Sequence, residues 1–193
     1  MIKVGIIVGS TRPGRKALAV AQWVHEIASK RSDAEYEIVD IAEYNLPLLD
    51  EAVPPSMAQY SQEHTKRWAA KIGELDAFVF VTPEYNHSTS GALKNAIDFI
   101  YAEWTNKACG FVGYGSMQGA RAVEHLRGVA GELQIADVRA QVGLSLFTDF
   151  ENFTTFKPNP MHEGYVNTML DQVVLWGEAM KGAREKLAQK QYT

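Results

Sequence analysis

A polar run with many hydrogen-bonding side chains directly follows one of the most apolar stretches of the chain. The apolar stretch Ala77–Val81 leads into Pro83–Ser90 (PEYNHSTS), and a helical pattern begins at Gly91. Such a junction collects backbone N–H groups without internal partners at the positive end of a helix dipole. These groups favour binding of a polar, anionic ligand with a flat part, whereas Ser90 could also serve only as the helix cap.

Two other loops have a similar character. Gly9–Lys16 follows the apolar run Val4–Val8 and carries hydroxyl, guanidinium and ammonium groups ahead of a helical pattern, a combination that holds phosphate. It is neither a Walker loop nor a GxGxxG fingerprint, so a basic surface turn is the alternative. Gly113–Gly119 follows the apolar run Ala108–Val112, and its glycines and amide groups suit edge-on hydrogen bonding to a planar heterocycle.

Five strand-like segments alternate with five helical patterns along the chain. Three segments are continuously apolar, whereas Tyr36–Asp40 and Asp137–Val142 alternate apolar and polar residues. Strands buried on both faces read as solid apolar runs, and edge strands can alternate. The pattern therefore predicts an α/β fold with a five-stranded parallel sheet of order 2-1-3-4-5 and helices on both faces. Apolar residues at helical spacing predict that the second helix runs from Met57 to Gly73.

This strand order determines where the three loops lie. In an open parallel sheet, ligands bind beyond the carboxyl ends of the strands, where the strand order reverses. The loops after the first and third strands flank that point, and the loop after the fourth strand is their neighbour. We therefore expect all three loops to meet in one crevice.

The three loops resemble those of the NADPH-dependent FMN reductases of flavodoxin-like fold, a family that includes quinone, azo and chromate reductases. Gly9–Arg15 (GSTRPGR) resembles the family's GSxR phosphate loop, and Pro83–Phe99 resembles its PEYN signature and the helix after it. Gly113–Arg127 is similar to its glycine-rich third loop and helix. The resemblance covers nearly the whole chain and implies a three-layer sandwich that binds FMN as a single domain over residues 1–193.

The resemblance also implies a set of FMN contacts. Ser10 and Arg12 would help to hold the phosphate, with Arg15 a weaker addition. The isoalloxazine and ribityl groups would contact the start of the second loop, largely through its main chain, and one serine of the third loop: Pro83, Glu84, Tyr85, Asn86 and Ser116.

The chain departs from the family pattern in two places. Many members have a second serine near positions 15 to 17, where this chain has Arg15-Lys16-Ala17, so a more ionic phosphate grip is expected. Many members have a double glycine in the third loop, where this chain has Gln118-Gly119.

The activity implied by the resemblance is reduction of a small quinone-like acceptor by NADPH or NADH through bound FMN. A ping-pong reaction would pass hydride from nicotinamide C4 to flavin N5 and then two electrons to the acceptor. The alternative is an FMN-binding electron carrier that serves a protein partner. Such a carrier would favour a strongly acidic surface, and a net charge of -4 over 193 residues is modest. A non-catalytic structural or regulatory member is the third possibility.

Composition argues against several other classes. No run of Lys and Arg interleaves with aromatic residues, so nucleic acid is not expected as a partner. No signal peptide and no membrane-length apolar run is found, so a cytoplasmic protein without a membrane partner is expected. The single cysteine, Cys109, lies in an apolar run and excludes a disulfide framework.

Metal and hydrolase chemistry are also disfavoured. The five histidines show no HExxH spacing and join no acidic cluster of metal-ligand form, so no metal site is predicted. Ser116 lacks the flanking glycines of a nucleophile elbow. The aromatic segment from Phe147 to Phe156 is an interface, a lid or packing beneath a loop, and the resemblance favours a homodimer or a dimer of dimers.

Overall fold

A five-stranded parallel sheet forms the middle layer of the fold. The computed structural model describes residues 1–190, and the sheet runs in the order β2-β1-β3-β4-β5 with every pairing parallel. The strands are β1 (Ile2–Val8), β2 (Ala34–Asp40), β3 (Ala77–Pro83), β4 (Ala108–Gly115) and β5 (Ala136–Ser145). The predicted strand order is confirmed, and the two alternating strands lie at the edges.

Helices cover both faces of this sheet. They are α1 (Ala17–Ala28), α2 (Glu63–Gly73), α3 (Gly91–Asp98), α4 (Ala120–Glu132) and α5 (His162–Lys190). Helices α1 and α5 pack on one face through aliphatic residues such as Val24 and Val173. Helices α2, α3 and α4 pack on the other face in a cluster that contains Trp68, Phe78 and Trp104.

The second helix is shorter than its apolar spacing predicts. The prediction is wrong at its start, because the helix begins at Glu63 and Met57 lies in a 3-10 turn, Pro55–Met57. Ala58 takes a left-handed conformation (φ 51°), which ends that turn. Tyr60 packs on the α2–α4 face from the preceding loop, so its helical spacing reflects loop packing.

A short antiparallel hairpin interrupts the connection from β5 to α5. Its strands are β6 (Phe150–Glu151) and β7 (Thr155–Phe156). Phe150 is buried against Phe156, with ring centroids 5.1 Å apart, whereas Phe147 and Phe153 are 65% and 56% exposed. Two of these aromatic rings therefore pack beneath the loop and two face outward.

One carboxylate holds both ends of this connection. Asp149 is buried and accepts hydrogen bonds from the N–H of Ser145 (2.8 Å) and the N–H of Asn159 (2.9 Å). Nε2 of His162, the first residue of α5, lies 3.0 Å from the same carboxylate. Because a buried carboxylate must be paired or hydrogen-bonded, these contacts fix the hairpin's two roots relative to each other.

Candidate functional site

The loops after β1 and β3 are joined at their roots. The N–H of Gly9 donates to the carbonyl of Val81 (2.8 Å), and the Ser90 hydroxyl donates to the carbonyl of Gly9 (2.6 Å). Ser90 also accepts from the N–H of Leu93 (3.0 Å), so it is the N-cap of α3. A Cβ at position 9 would stand 2.5 Å from the Val81 oxygen, so only glycine fits there. The two loops therefore leave the sheet in a fixed relation.

Ser10 and Tyr85 bring the polar parts of the same loops together. Oγ of the buried Ser10 lies 3.0 Å from Oη of Tyr85. The Arg12 guanidinium lies 5.9 Å from the centroid of the Tyr85 ring. Three of the residues that the sequence assigns to one ligand are therefore close together in the structure.

The three cations of the first loop have different surroundings. The Arg15 guanidinium pairs with the Asp40 carboxylate at the end of β2 and donates to the carbonyl of Ser10 (2.8 Å). Within residues 1–190, neither Arg12 nor Lys16 has a carboxylate partner. The positive charges left for a ligand are therefore those of Arg12 and Lys16. The sequence pattern includes Lys16 in the phosphate loop, although the family resemblance does not place it among the FMN contacts.

The second loop turns sharply between Tyr85 and Ser88. These two residues exchange backbone hydrogen bonds of 2.9 and 3.2 Å, and the central residues Asn86 and His87 both have positive φ (50° and 73°). This is the conformation of a tight hairpin turn. Among residues 1–190 the N–H groups of Asn86 and His87 have no hydrogen-bond acceptor, as expected of the centre of such a turn, so they are available as donors.

Glu84 connects the second loop to β4 and α4. Its N–H donates to the carbonyl of Tyr114 (3.0 Å), and its carboxylate accepts from the N–H of Arg121 (3.0 Å) and from the Arg121 Nε (2.6 Å). Burial by itself raises the pKa of Glu84, but the hydrogen bonds and charge of Arg121 outweigh it, and the net pKa lies below 4.5. Arg121 could not be predicted from the sequence, because an arginine in the first turn of a helix usually faces solvent.

The third loop closes tightly on the end of β4. Gly119 has φ 71°, and a Cβ there would stand 2.6 Å from the Cα of Gly113, so this position requires glycine. Gln118, which replaces the first glycine of the family pattern, also has positive φ (58°) and packs over Gly143. Ser116 is exposed at the tip of this loop.

The three loops and the β5–α5 connection enclose a crevice of about 90 Å³. Its lining residues are Arg12, Lys16, Pro83, Glu84, Tyr85, Tyr114, Gly115, Leu146 and Phe153. Tyr114 is 5% exposed, and its hydroxyl has no hydrogen-bond partner among the described residues. The crevice thus combines two unpaired cations, an unsatisfied hydroxyl and aromatic walls.

Comparison with known proteins identifies the family. Residues 2–149 match the family model described as NADPH-dependent FMN reductase. The chain belongs to the NADPH-dependent FMN reductase family. The resemblance seen in the three loops is therefore confirmed, and with it, at the level of the family, the expectation of an FMN-dependent oxidoreductase that uses NADPH or NADH.

Individual proteins that resemble this chain include an FMN reductase and a quinone reductase. An NAD(P)H-dependent FMN reductase of Nectria sp is 41% identical over 128 residues, which cover 63% of this chain and 64% of that protein. A 2-hydroxy-1,4-benzoquinone reductase of Burkholderia sp is 32% identical over 142 residues, which cover 69% of this chain and 73% of that protein. The match to the Nectria protein thus spans slightly less than two thirds of that relative.

A solved structure confirms the flavodoxin-like fold class. The flavoenzyme NAD(P)H:(acceptor) oxidoreductase FerB of Paracoccus denitrificans aligns with a TM-score of 0.71 at 20% identity. The alignment covers 93% of this chain and 99% of that one.

The residues of the crevice fit the phosphate-bearing end of FMN. The unpartnered Tyr114 hydroxyl can donate a hydrogen bond to a ligand, and the charges of Arg12 and Lys16 favour an anionic one. Both requirements are met by a phosphate at the start of α1. Of the residues predicted to contact FMN, five lie in or beside the crevice, Arg15 pairs with Asp40, and Asn86 and Ser116 lie exposed in their loops.

Residues 1–190 contain neither a membrane-spanning helix nor a cluster of metal-binding side chains. None of the helices in this range has the length and apolarity needed to cross a membrane. In the same range, no three His, Cys, Asp or Glu side chains come together in a group suited to a metal ion.

We expect Arg121→Gln to lower the free energy of unfolding by roughly 1–2 kcal/mol, because it leaves the Glu84 carboxylate buried without its partner. This is less than the 3–5 kcal/mol typical of a broken buried pair, since Arg121 is partly exposed. In the wild type, the pair stabilises the fold above pH 4.5 and this contribution is lost as the pH falls below that value. In the variant, burial favours the protonated form of the Glu84 carboxyl. The free energy of unfolding should therefore fall less, relative to the wild type, at pH 5 than at pH 8.

Urea unfolding at the two pH values measures this difference. The control is Lys66→Gln, which breaks the exposed pair between Lys66 and Glu63 and should change stability by less than about 0.5 kcal/mol. An equal deficit for Arg121→Gln at pH 5 and pH 8 would show that Glu84 does not carry the effect.

Proposed function

We propose that the chain is an FMN-dependent NAD(P)H oxidoreductase that reduces quinones or related small acceptors in two successive half-reactions. The main support is the meeting of three loops at the carboxyl ends of β1, β3 and β4 in a chain of this family. Two cations there, Arg12 and Lys16, have no carboxylate partner within residues 1–190. The relative from Burkholderia sp named for a benzoquinone supports the acceptor class.

FMN, when bound, supplies the redox chemistry by taking hydride from the nicotinamide and passing two electrons to the acceptor. The task left to the protein is to bind and orient the reacting molecules. This agrees with the described lining of the crevice, in which residues 1–190 place no histidine or cysteine and only one carboxylate, Glu84, which is already engaged by Arg121. In this proposal no side chain acts as a nucleophile.

The first loop holds the phosphate in this proposal. Ser10 and Arg12 contact it at the start of α1, where unpartnered N–H groups and the helix dipole favour an anion. Lys16 adds a second unpaired charge, in keeping with a more ionic grip. Arg15 acts mainly through Ser10, because its charge is balanced by Asp40 and its guanidinium holds the Ser10 carbonyl in place.

The second and third loops hold the flat ring system. Pro83 and Tyr85 wall the crevice, and the turn after them offers the N–H groups of Asn86 and His87 as donors to the polar edge of a heterocycle. Glu84 contributes indirectly, because its contacts to Tyr114 and Arg121 set the spacing of the two loops. Ser116 lies at the tip of the third loop, where it would meet the exposed part of the ring.

The direct test is the visible spectrum of the purified protein. We expect a flavin spectrum, either as isolated or after addition of FMN, that bleaches with NADPH or NADH and recovers when a benzoquinone is added. Initial rates at several fixed quinone concentrations should give parallel double-reciprocal lines, as a ping-pong reaction requires. Bound flavin that neither nicotinamide reduces would favour the electron carrier, and a protein that never binds FMN would exclude both.

Arg12→Gln tests the phosphate role in the same assay. We expect the Kd for FMN to rise by roughly 10-fold or more, since a charge-assisted hydrogen bond contributes about 1.5–3 kcal/mol. The matched control is Arg139→Gln, an exposed arginine on the edge strand β5, which should leave the Kd unchanged. An unaltered FMN affinity in Arg12→Gln would remove Arg12 from the site.

We also propose that residues 1–193 act as one domain in a cytoplasmic homodimer or dimer of dimers. Phe153 at the crevice and Phe147, whose ring centroid lies 5.7 Å from that of Phe153, leave apolar area exposed, and a second subunit there would exclude water from the crevice. Sedimentation velocity should show a species of at least twice the 21.4 kDa chain mass. A monomer at micromolar concentration with FMN bound would contradict this part of the proposal.

A further inference from the structure

The Tyr114 hydroxyl is an unusual group among the buried polar atoms of this protein. Tyr114 lies near the end of β4, paired with Pro83, and its ring packs in the cluster under α1 and α5, 6.1 Å from the Phe150 ring. The residue is 5% exposed and lines the crevice, yet its hydroxyl oxygen has no hydrogen-bond partner among residues 1–190. Buried hydroxyls are nearly always hydrogen-bonded, because leaving one unsatisfied forfeits its hydration.

Two cations and the start of a helix lie near this hydroxyl. Burial raises the pKa of Tyr114 and the neighbouring Tyr85 phenol adds to that increase, whereas Arg12, the N–H of Ala17 and Arg15 act against it. Ala17 is the first residue of α1, so the hydroxyl lies at the positive end of that helix. A phenol with a raised pKa keeps its proton at neutral pH and can donate a hydrogen bond.

The size of the crevice limits which ligand group can accept a hydrogen bond from Tyr114. About 90 Å³ is far below the roughly 300 Å³ or more of a pocket that encloses a drug-sized molecule. A compact anion fits inside such a volume, and a tricyclic ring system would have to extend beyond it. The cations Arg12 and Lys16 line the same space and favour a negatively charged group over a neutral sugar hydroxyl.

We propose that the Tyr114 hydroxyl is a ligand of the FMN phosphate and donates a hydrogen bond to one of its oxygens. This inference rests on the proposed binding of FMN and adds a phosphate ligand from β4 to those of the first loop. It also accounts for a buried polar atom that has no hydrogen-bond partner among residues 1–190.

Tyr114→Phe tests this assignment, because it removes the hydroxyl and keeps the ring. Flavin fluorescence quenching would measure the Kd of the FMN-free protein for FMN and for riboflavin, which lacks the phosphate. We expect the Kd for FMN to rise about 10- to 100-fold, as for loss of a hydrogen bond to a charged group, and the Kd for riboflavin to stay within about twofold. The Tm of the FMN-free variant should match or exceed that of the wild type, since no internal hydrogen bond is lost.

The matched control is Tyr36→Phe at the opposite end of the sheet. The Tyr36 hydroxyl donates to Asp33 (2.9 Å), so its removal should lower the Tm by a few degrees and leave both flavin affinities unchanged. The same chemical change is therefore expected to lower FMN affinity but not the Tm at Tyr114, and to lower the Tm but not FMN affinity at Tyr36.

Several results would overturn the assignment. An unchanged FMN affinity, or equal losses for FMN and riboflavin, would show that the hydroxyl does not contact the phosphate. A clear fall in the Tm of FMN-free Tyr114→Phe would show that the hydroxyl has an internal partner. If the wild type binds FMN and reduces a quinone in the same experiments, such results reject only the role of Tyr114, whereas a wild type that binds no FMN rejects the proposed function itself.

Discussion

The hydrogen bond from the Ser90 hydroxyl to the carbonyl of Gly9 is the contact on which the site depends. The same oxygen caps α3, so one side chain fixes both the start of a helix and the distance between the loops after β1 and β3. The close approach is possible only because Gly9 has no side chain. Without this junction the cations of the first loop and the turn of the second would not share a crevice.

Charge pairing explains which groups remain available to a ligand. Buried charges are costly unless they are paired, and the partly buried Arg15 and the buried Glu84 carboxylate each have a partner, Asp40 and Arg121. These pairs hold the walls of the crevice. Arg12 and Lys16 have no carboxylate partner among the described residues, and they lie on the side where an anion would reach the start of α1.

Much of this arrangement could be predicted from the sequence, and the exceptions have physical causes. Strand order and the convergence of the loops followed from apolar patterning, because burial on one or both faces of a sheet leaves a direct record in the sequence. The start of α2 was not predicted correctly, since Met57 and Tyr60 have helical spacing but the left-handed conformation of Ala58 separates the 3-10 turn that contains Met57 from the helix. Tyr114 was missed because a tyrosine in a buried strand looks like ordinary core, and whether its hydroxyl is satisfied depends on its three-dimensional neighbours.

The anchoring of both ends of the β5–α5 connection by Asp149 has a consequence for how this protein can diverge. One carboxylate holds the end of β5 and the start of α5 together. The hairpin segment between them can therefore change in length and sequence without shifting the register of the sheet. Insertions or replacements around Phe153 would change the shape of the crevice while the strand ends and the start of α5 stay in place. Evolution or protein engineering can therefore exchange this hairpin segment as a unit.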